Sequence, residues 1–322
     1  MKKEKNRNRK DSHLIVIRET KNEDFIINID NESLEDKNTV VHRSNKVKFV
    51  DKDISKCKDQ KLICALNNKA IKIENHIRSY NYFIPFPNIN FEGNEKELEQ
   101  IFTCNDRLSP DEIKLNRIFH YDLDHFGRYY GKPLCYIPKI YRKKIEIDGY
   151  KTIQIDFKSC MPSILHIKSG EKLLPNYDFY KIDNLALERE YIKFAFLFML
   201  AAPSRERASV AMKYKFKELN KEENEKKAFT DKASIENYID VIHAQYPNLS
   251  GCFFNPNSYK SAIKTESDII TDIYMRSINR KLAVFDIFDC IMCMEKDHEE
   301  MISIINKSCI KILGQKLNID FE

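Results

Sequence analysis

The chain has 322 residues, of which 42% are hydrophobic and 32% charged, with a formal net charge of +5. That length and apolar content describe a folded chain of one large or two small domains and exclude a disordered or fibrous one. The mild basicity permits a polyanionic partner without demanding one.

Nine cysteines, an odd number without a spacing framework, fit a reduced interior, so a cytoplasmic protein is expected. Cys290 and Cys293 form a CxxC with no second pair, and in a strand-like run they face opposite sides. They read as core thiols. The longest apolar run, residues 194–202, is much too short to span a membrane, so no membrane partner is expected. Residues 1–10 are rich in Lys and Arg and read as a basic tail.

Short strands are predicted at 13–17, 25–29 and 47–50, followed by a loop-rich stretch to 105. Ser109-Pro110-Asp111-Glu112 has the pattern of a helix start, and the spacing predicts a helix through Ile113 and Ile118. Residues 127–131, bounded by Gly127 and Gly131, read as a turn. A basic segment follows, with Arg142, Lys143 and Lys144. Asp148-Gly149 between apolar runs predicts a hairpin.

Residues 185–202 read as one buried helix stopped by Pro203. Residues 205–232 are highly charged and read as a solvated helix pair. A helix capped by Thr265 is predicted over 266–279, a strand pair over 282–293, and an amphipathic helix over 299–313.

Two carboxylates stand out against this pattern. Asp156 ends an apolar strand, Ile153-Gln154-Ile155-Asp156, and Asp289 lies inside a second, with Asp286 three residues before it. A charge in such a run is costly unless it is paired or binds a metal. Two carboxylates converging on one sheet suit Mg²⁺, which takes oxygen ligands and keeps waters for substrate phosphates. Taken singly, either Asp is more often a turn former or helix cap. His120, Asp122, Asp124 and His125 read as polar residues at a helix end.

In order along the chain, Gly127-Arg128, Ile137-Pro138, Arg142-Lys143-Lys144, Asp148-Gly149 and Asp156 resemble the polymerase block of family A DNA polymerases, the DNA polymerase I type. Arg189 and Lys193 resemble that family's Arg-x-x-x-Lys fingers motif, and residues 265–313 resemble its helix, catalytic hairpin and closing helix. The resemblance covers residues 120–315.

It implies an α+β fold: a polymerase palm sheet over 106–322, a helical fingers insertion near 176–280, and a small N-terminal α/β region over 1–105. It implies template-directed nucleotidyl transfer by a two-metal mechanism on a primer–template, using nucleoside triphosphates. Asp156 and Asp289 would hold two Mg²⁺ or Mn²⁺ ions. Arg189, Lys193 and Met161 would contact the nucleotide, and Arg128, Arg142, Lys143 and Lys144 the nucleic acid. Compact forms of this kind occur on phages and mobile elements. Four positions depart from the family pattern: Phe288 stands for His, Cys290 for Glu or Ser, Met161 for Glu, and Leu200-Ala201-Ala202 where an aromatic-Gly pair is expected. These departures raise an alternative: a catalytically inactive palm used as a nucleic-acid-binding or replication-accessory module.

Overall fold

A computed structural model describes residues 14–20, 23–29, 60–85, 95–110, 113, 115–120, 123–130, 133–222 and 228–321. For 14–20 and 23–29 it describes the backbone alone. The predicted strand at 47–50, the tail and Asp122 lie outside the described residues.

The chain is mixed α+β, with antiparallel strand pairing and no closed barrel. In chain order come strands β1 (Leu14–Thr20) and β2 (Glu23–Ile29), helix α1 (Gln60–Arg78), β3 (Tyr82–Phe83), α2 (Glu95–Arg107), β4 (Asn116–His120) and β5 (Phe126–Tyr130). Then follow α3 (Lys139–Arg142), β6 (Glu146–Ile147), β7 (Tyr150–Phe157), α4 (Cys160–Lys168), α5 (Arg189–Ala201), α6 (Arg205–Glu222) and α7 (Lys232–Gln245). The series ends with α8 (Pro256–Arg280), β8 (Val284–Ile287), β9 (Cys290–Met294), α9 (His298–Leu313) and β10 (Ile319–Phe321). Among the described residues, no helix is long and apolar enough to cross a membrane.

Two sheets flank α8. One has strand order β2-β1-β4-β5 and the other β3-β6-β7-β9-β8, with β10 added beside β7. Because β1 pairs with β4 (Ile17 with Arg117), the segments on either side of residue 105 share a sheet.

Helix α8 is the centre of the packing. Ile263, Ile270, Ile273 and Tyr274 recur along its inner face and are fully enclosed. It packs against β5, α9, α4, α1 and α5. Each such aliphatic side chain, fully buried, contributes about 1.5–3 kcal/mol.

Local chemistry explains the hairpins. At Asp148-Gly149 both turn residues have positive φ, 49° and 78°, the geometry that a two-residue turn between twisted strands requires. The β8–β9 turn is also two residues, Phe288 and Asp289, and Phe288 takes φ 59°.

Three predicted elements come out differently. The helix expected through 113–118 is instead the strand β4, drawn into the sheet between β1 and β5. Pairing on both sides outweighs the capping signal at Ser109. The turn expected at 127–131 is largely β5. Gly127, at φ 80°, instead serves an irregularity in the β4–β5 register, and an added Cβ there would sit 2.8 Å from the Phe119 ring. The helix expected from 266 begins ten residues earlier. Asn255 caps it, accepting from the Asn257 amide, with Pro256 in the first turn. Thr265 is interior and returns its hydroxyl to the Ser261 carbonyl.

Candidate active site

Asp156 lies near the end of β7, directly across from Cys290 on β9. Asp289 is the residue before Cys290, in the β8–β9 turn. The Phe157 amide donates to the Asp289 carbonyl at 3.2 Å, so the strand end and the turn are stitched together. On its other side Asp156 pairs with Asp320 of β10, whose carboxylate meets Lys158 Nζ at 3.6 Å. Among the described residues no group of three or more His, Cys, Asp or Glu converges, so this is a pair with a neighbour.

The surroundings of Asp289 come from four other elements. Burial pushes its carboxyl above the usual range, while the nearby charges of Arg128 and Lys193 act in the opposite direction. Lys193 projects from the exposed side of α5. Tyr180, before α5, and Tyr259, on α8, are close enough that the Asp289 charge raises both phenols, although burial is the larger cause in each. The Cys160 thiol, at the start of α4, is raised chiefly by its own burial, with Glu266 and Asp289 adding to the effect.

Beneath the turn sits a buried ion pair. Arg128 Nε and Nη2 both donate to the Glu266 carboxylate, the first at 3.0 Å, and Glu266 is 1% exposed. The Arg128 guanidinium also lies 5.0 Å from the centre of the Phe288 ring, which meets Tyr130 edge-on at 6.4 Å. Arg128, Glu266, Asp286 and Phe288 are among the residues that line a water-sized cavity. Burial pushes the Glu266 carboxyl up to about 7, although Arg128 pulls the other way. Asp286 faces inward and accepts from the Tyr274 hydroxyl at 2.7 Å.

The basic candidates therefore separate. Arg128, expected to contact a nucleic-acid backbone, spends its donors on Glu266 instead. Arg142 donates to the Ile137 carbonyl at 2.9 Å, and Lys144 pairs with Glu97 of α2 at 3.2 Å while Lys143 is exposed beside them. These three belong to a short surface segment on α2, with no bond to the Asp289 surroundings among the described residues.

Arg189, expected to contact the nucleotide, is engaged within the chain. Its Nε donates to Asp178 at 2.7 Å and its guanidinium lies over the Tyr180 ring, 5.3 Å from the centre. Asp178 further accepts from the Ser159 hydroxyl at 2.7 Å and the Tyr180 amide at 3.0 Å. Burial alone would raise the Asp178 carboxyl, but these donors hold it below its ordinary value. Met161 is enclosed in the core at 5% exposure, and a thioether there offers a nucleotide nothing to bind. Neither Cys290 nor Cys293 is in a disulfide; Cys293 is buried, as expected of a core thiol, whereas Cys290 is only partly buried.

Sequence reasoning missed Tyr180, Tyr259, Glu266 and Asp320. Only the spacing of Tyr259 and Glu266, seven apart and hence on one helix face, could have paired two of them. No protein-family model matches this sequence, and no curated protein matches it.

Proposed function

We propose that the chain is a palm-type nucleotidyl transferase of the DNA polymerase I kind, extending a primer on a nucleic-acid template. One observation carries this reading: the β7–β9 register joins the Asp156 strand end to the Asp289 turn, and the charge of Lys193, on a separate helix, acts on Asp289.

The donor set fits a hard divalent cation. Asp289 is a carboxylate whose burial is only partly offset by nearby charge, since Arg128 is already engaged by Glu266. Asp156 adds oxygen donors across the β7–β9 pairing. Asp156 and Asp289 would hold Mg²⁺ or Mn²⁺, which when bound lowers the pKa of an attacking hydroxyl and offsets charge on the leaving oxygen. Lys193, exposed on α5, supplies a point charge for the triphosphate. The Arg128–Glu266 pair and the Phe288 ring hold the turn that presents Asp289, which serves positioning. Arg189 orders the start of α5 through Asp178.

Primer extension tests the reading. Asp156→Asn and Asp289→Asn each abolish it while the fold persists, because an amide keeps the shape and removes the charge. In metal-free buffer the melting temperature holds or rises, since a carboxylate disfavoured by burial has been neutralised. Failure of wild-type extension with every template, nucleotide and metal tried removes the proposal.

A second reading, an inactive palm serving as a nucleic-acid-binding accessory, is favoured by one observation. Arg128 and Arg189 are both engaged by carboxylates of the chain itself. Primer–template binding without extension selects that reading.

A further inference from the structure

Helix α6 has two unlike faces. Ala208, Met212, Phe216 and Leu219 are buried against its neighbours α5 and α7. The opposite face presents Arg207, Val210, Lys213, Tyr214, Lys217 and Lys221, all exposed, with Tyr214 at 71% and Val210 at 55%. At 100° per residue these six fall within one arc of the helix. From Arg207 to Lys221 the strip runs roughly 21 Å at about 1.5 Å per residue.

Several cations elsewhere in the protein are held by acids. Arg78, Arg128, Lys144, Arg189, Arg205, Lys264, Arg276 and Lys311 each meet a carboxylate. Among the described residues, no acid pairs with Arg207, Lys213, Lys217 or Lys221. Two exposed acids lie on or beside this strip: Glu206, next to Arg207, and Glu218, which Lys215 engages at 2.7 Å. A solvated face of ordinary composition intersperses both signs. Here four cations flank one exposed aromatic ring and outnumber the two acids of the same side, Glu206 and Glu218.

We propose that this outer face of α6 binds single-stranded nucleic acid. The four cations track the phosphate backbone and the Tyr214 ring stacks on an unpaired base. Positive charge along a line with an aromatic between is the chemistry that single strands require. A strip of this length suits about four or more nucleotides. Duplex offers Tyr214 no exposed base face, so the preference runs to single strands. A membrane surface is the weaker fit, because an interfacial helix buries a broad apolar face, and that face of α6 is spent inside the fold. The inference goes beyond the proposed active site and does not depend on it.

The experiment is fluorescence anisotropy of a labelled 20-mer of thymidylate against the full chain at several salt concentrations. Lys213→Gln/Lys217→Gln/Lys221→Gln weakens binding and lowers the salt slope by about 2, the value for three phosphate contacts on a single strand. Tyr214→Ala weakens binding about tenfold with the slope unchanged, and has no effect on an abasic strand of equal length. All these positions are exposed, so melting temperatures stay at the wild-type value. Asp289→Asn leaves this binding in place, which separates it from the polymerase reading. The proposal is overturned if wild type does not bind the oligonucleotide, or if the triple variant keeps wild-type affinity and slope. Tyr214→Ala losing as much affinity on the abasic strand, or anionic phosphatidylserine vesicles binding where the oligonucleotide does not, overturns it too.

Discussion

Strands β7 to β9 and helix α5 present their charged residues in equally regular patterns, but the fold treats them differently. On the strand side antiparallel register sets Asp156 opposite Cys290, the residue that follows Asp289. On the helix side Arg189 and Lys193 share a face one turn apart, yet only Lys193 addresses Asp289, while Arg189 is captured by Asp178. Backbone pairing dictates position residue by residue. Helical spacing dictates only a direction, and the nearest opposite charge decides the rest.

The largest effect that can break this contrast is catalytic. If the strand pair is the metal site, Asp289→Asn lowers extension by roughly 10²–10³ or more, as losing a preorganised charge does elsewhere. Lys193→Ala acts on the other side and raises the nucleotide KM while leaving primer–template affinity near wild type, as steady-state kinetics and anisotropy will show. Arg189→Ala changes KM little, which sharpens the division between the two helix residues.

Next in size is the pair under the turn. Glu266→Ala leaves Arg128 buried without a partner and destabilises by about 3–5 kcal/mol, read from denaturant unfolding. Glu266→Gln costs less and exposes a pH effect. With its proton held up to about 7, against 4.5 in the unfolded chain, folded Glu266 keeps a proton that the unfolded chain has lost between those values. Its contribution is fully present below pH 4.5 and is lost as pH rises to about 7. Thermal melts across that window slope less in the Gln variant.

Gly127→Ala is smaller, about 1–3 kcal/mol, because it combines an unfavourable positive φ with a collision against Phe119. Smallest is Arg189→Ala at about 0.2–1 kcal/mol, since its side chain is half exposed. Asp178 is depressed in the folded state, so its contribution is present above its ordinary value of 3.8 and is lost as pH falls through the folded value. The Arg189→Ala melts show less of that acid-side loss.

What the sequence made legible was chemistry that is local. Asp148-Gly149 announces its own turn, the apolar runs at 153–157 and 282–293 announce strands, and the 299–313 periodicity announces α9. The metal-candidate pair was legible because carboxylates in apolar strands are conspicuous. Partners chosen across the fold were not. Arg128 and Glu266 are far apart in sequence, and nothing near Arg128 indicates that a buried carboxylate awaits it. The cap-like Ser109 and Thr265 misled for the same reason: a cap motif is a local preference, and the sheet or a longer helix overrode it. Met161 is similar, a position assigned by analogy to a ligand but enclosed by its neighbours.

The pairing of β7 with β9 has a kinetic side as well. Four helices, α5 to α8, and α4 intervene before β9 can close on β7. A contact that must bridge so long a stretch forms late, since loop closure precedes its reward, so the end of β7 and the Asp289 turn are joined near the end of folding. Closure entropy grows only with the logarithm of loop length, about 0.6 kcal/mol for each doubling. The helical stretch between the two strands can therefore lengthen, shrink or be exchanged over evolutionary time at little thermodynamic penalty, while the few residues that seal the β7–β9 seam cannot drift by even one register step without turning their side chains to the wrong face.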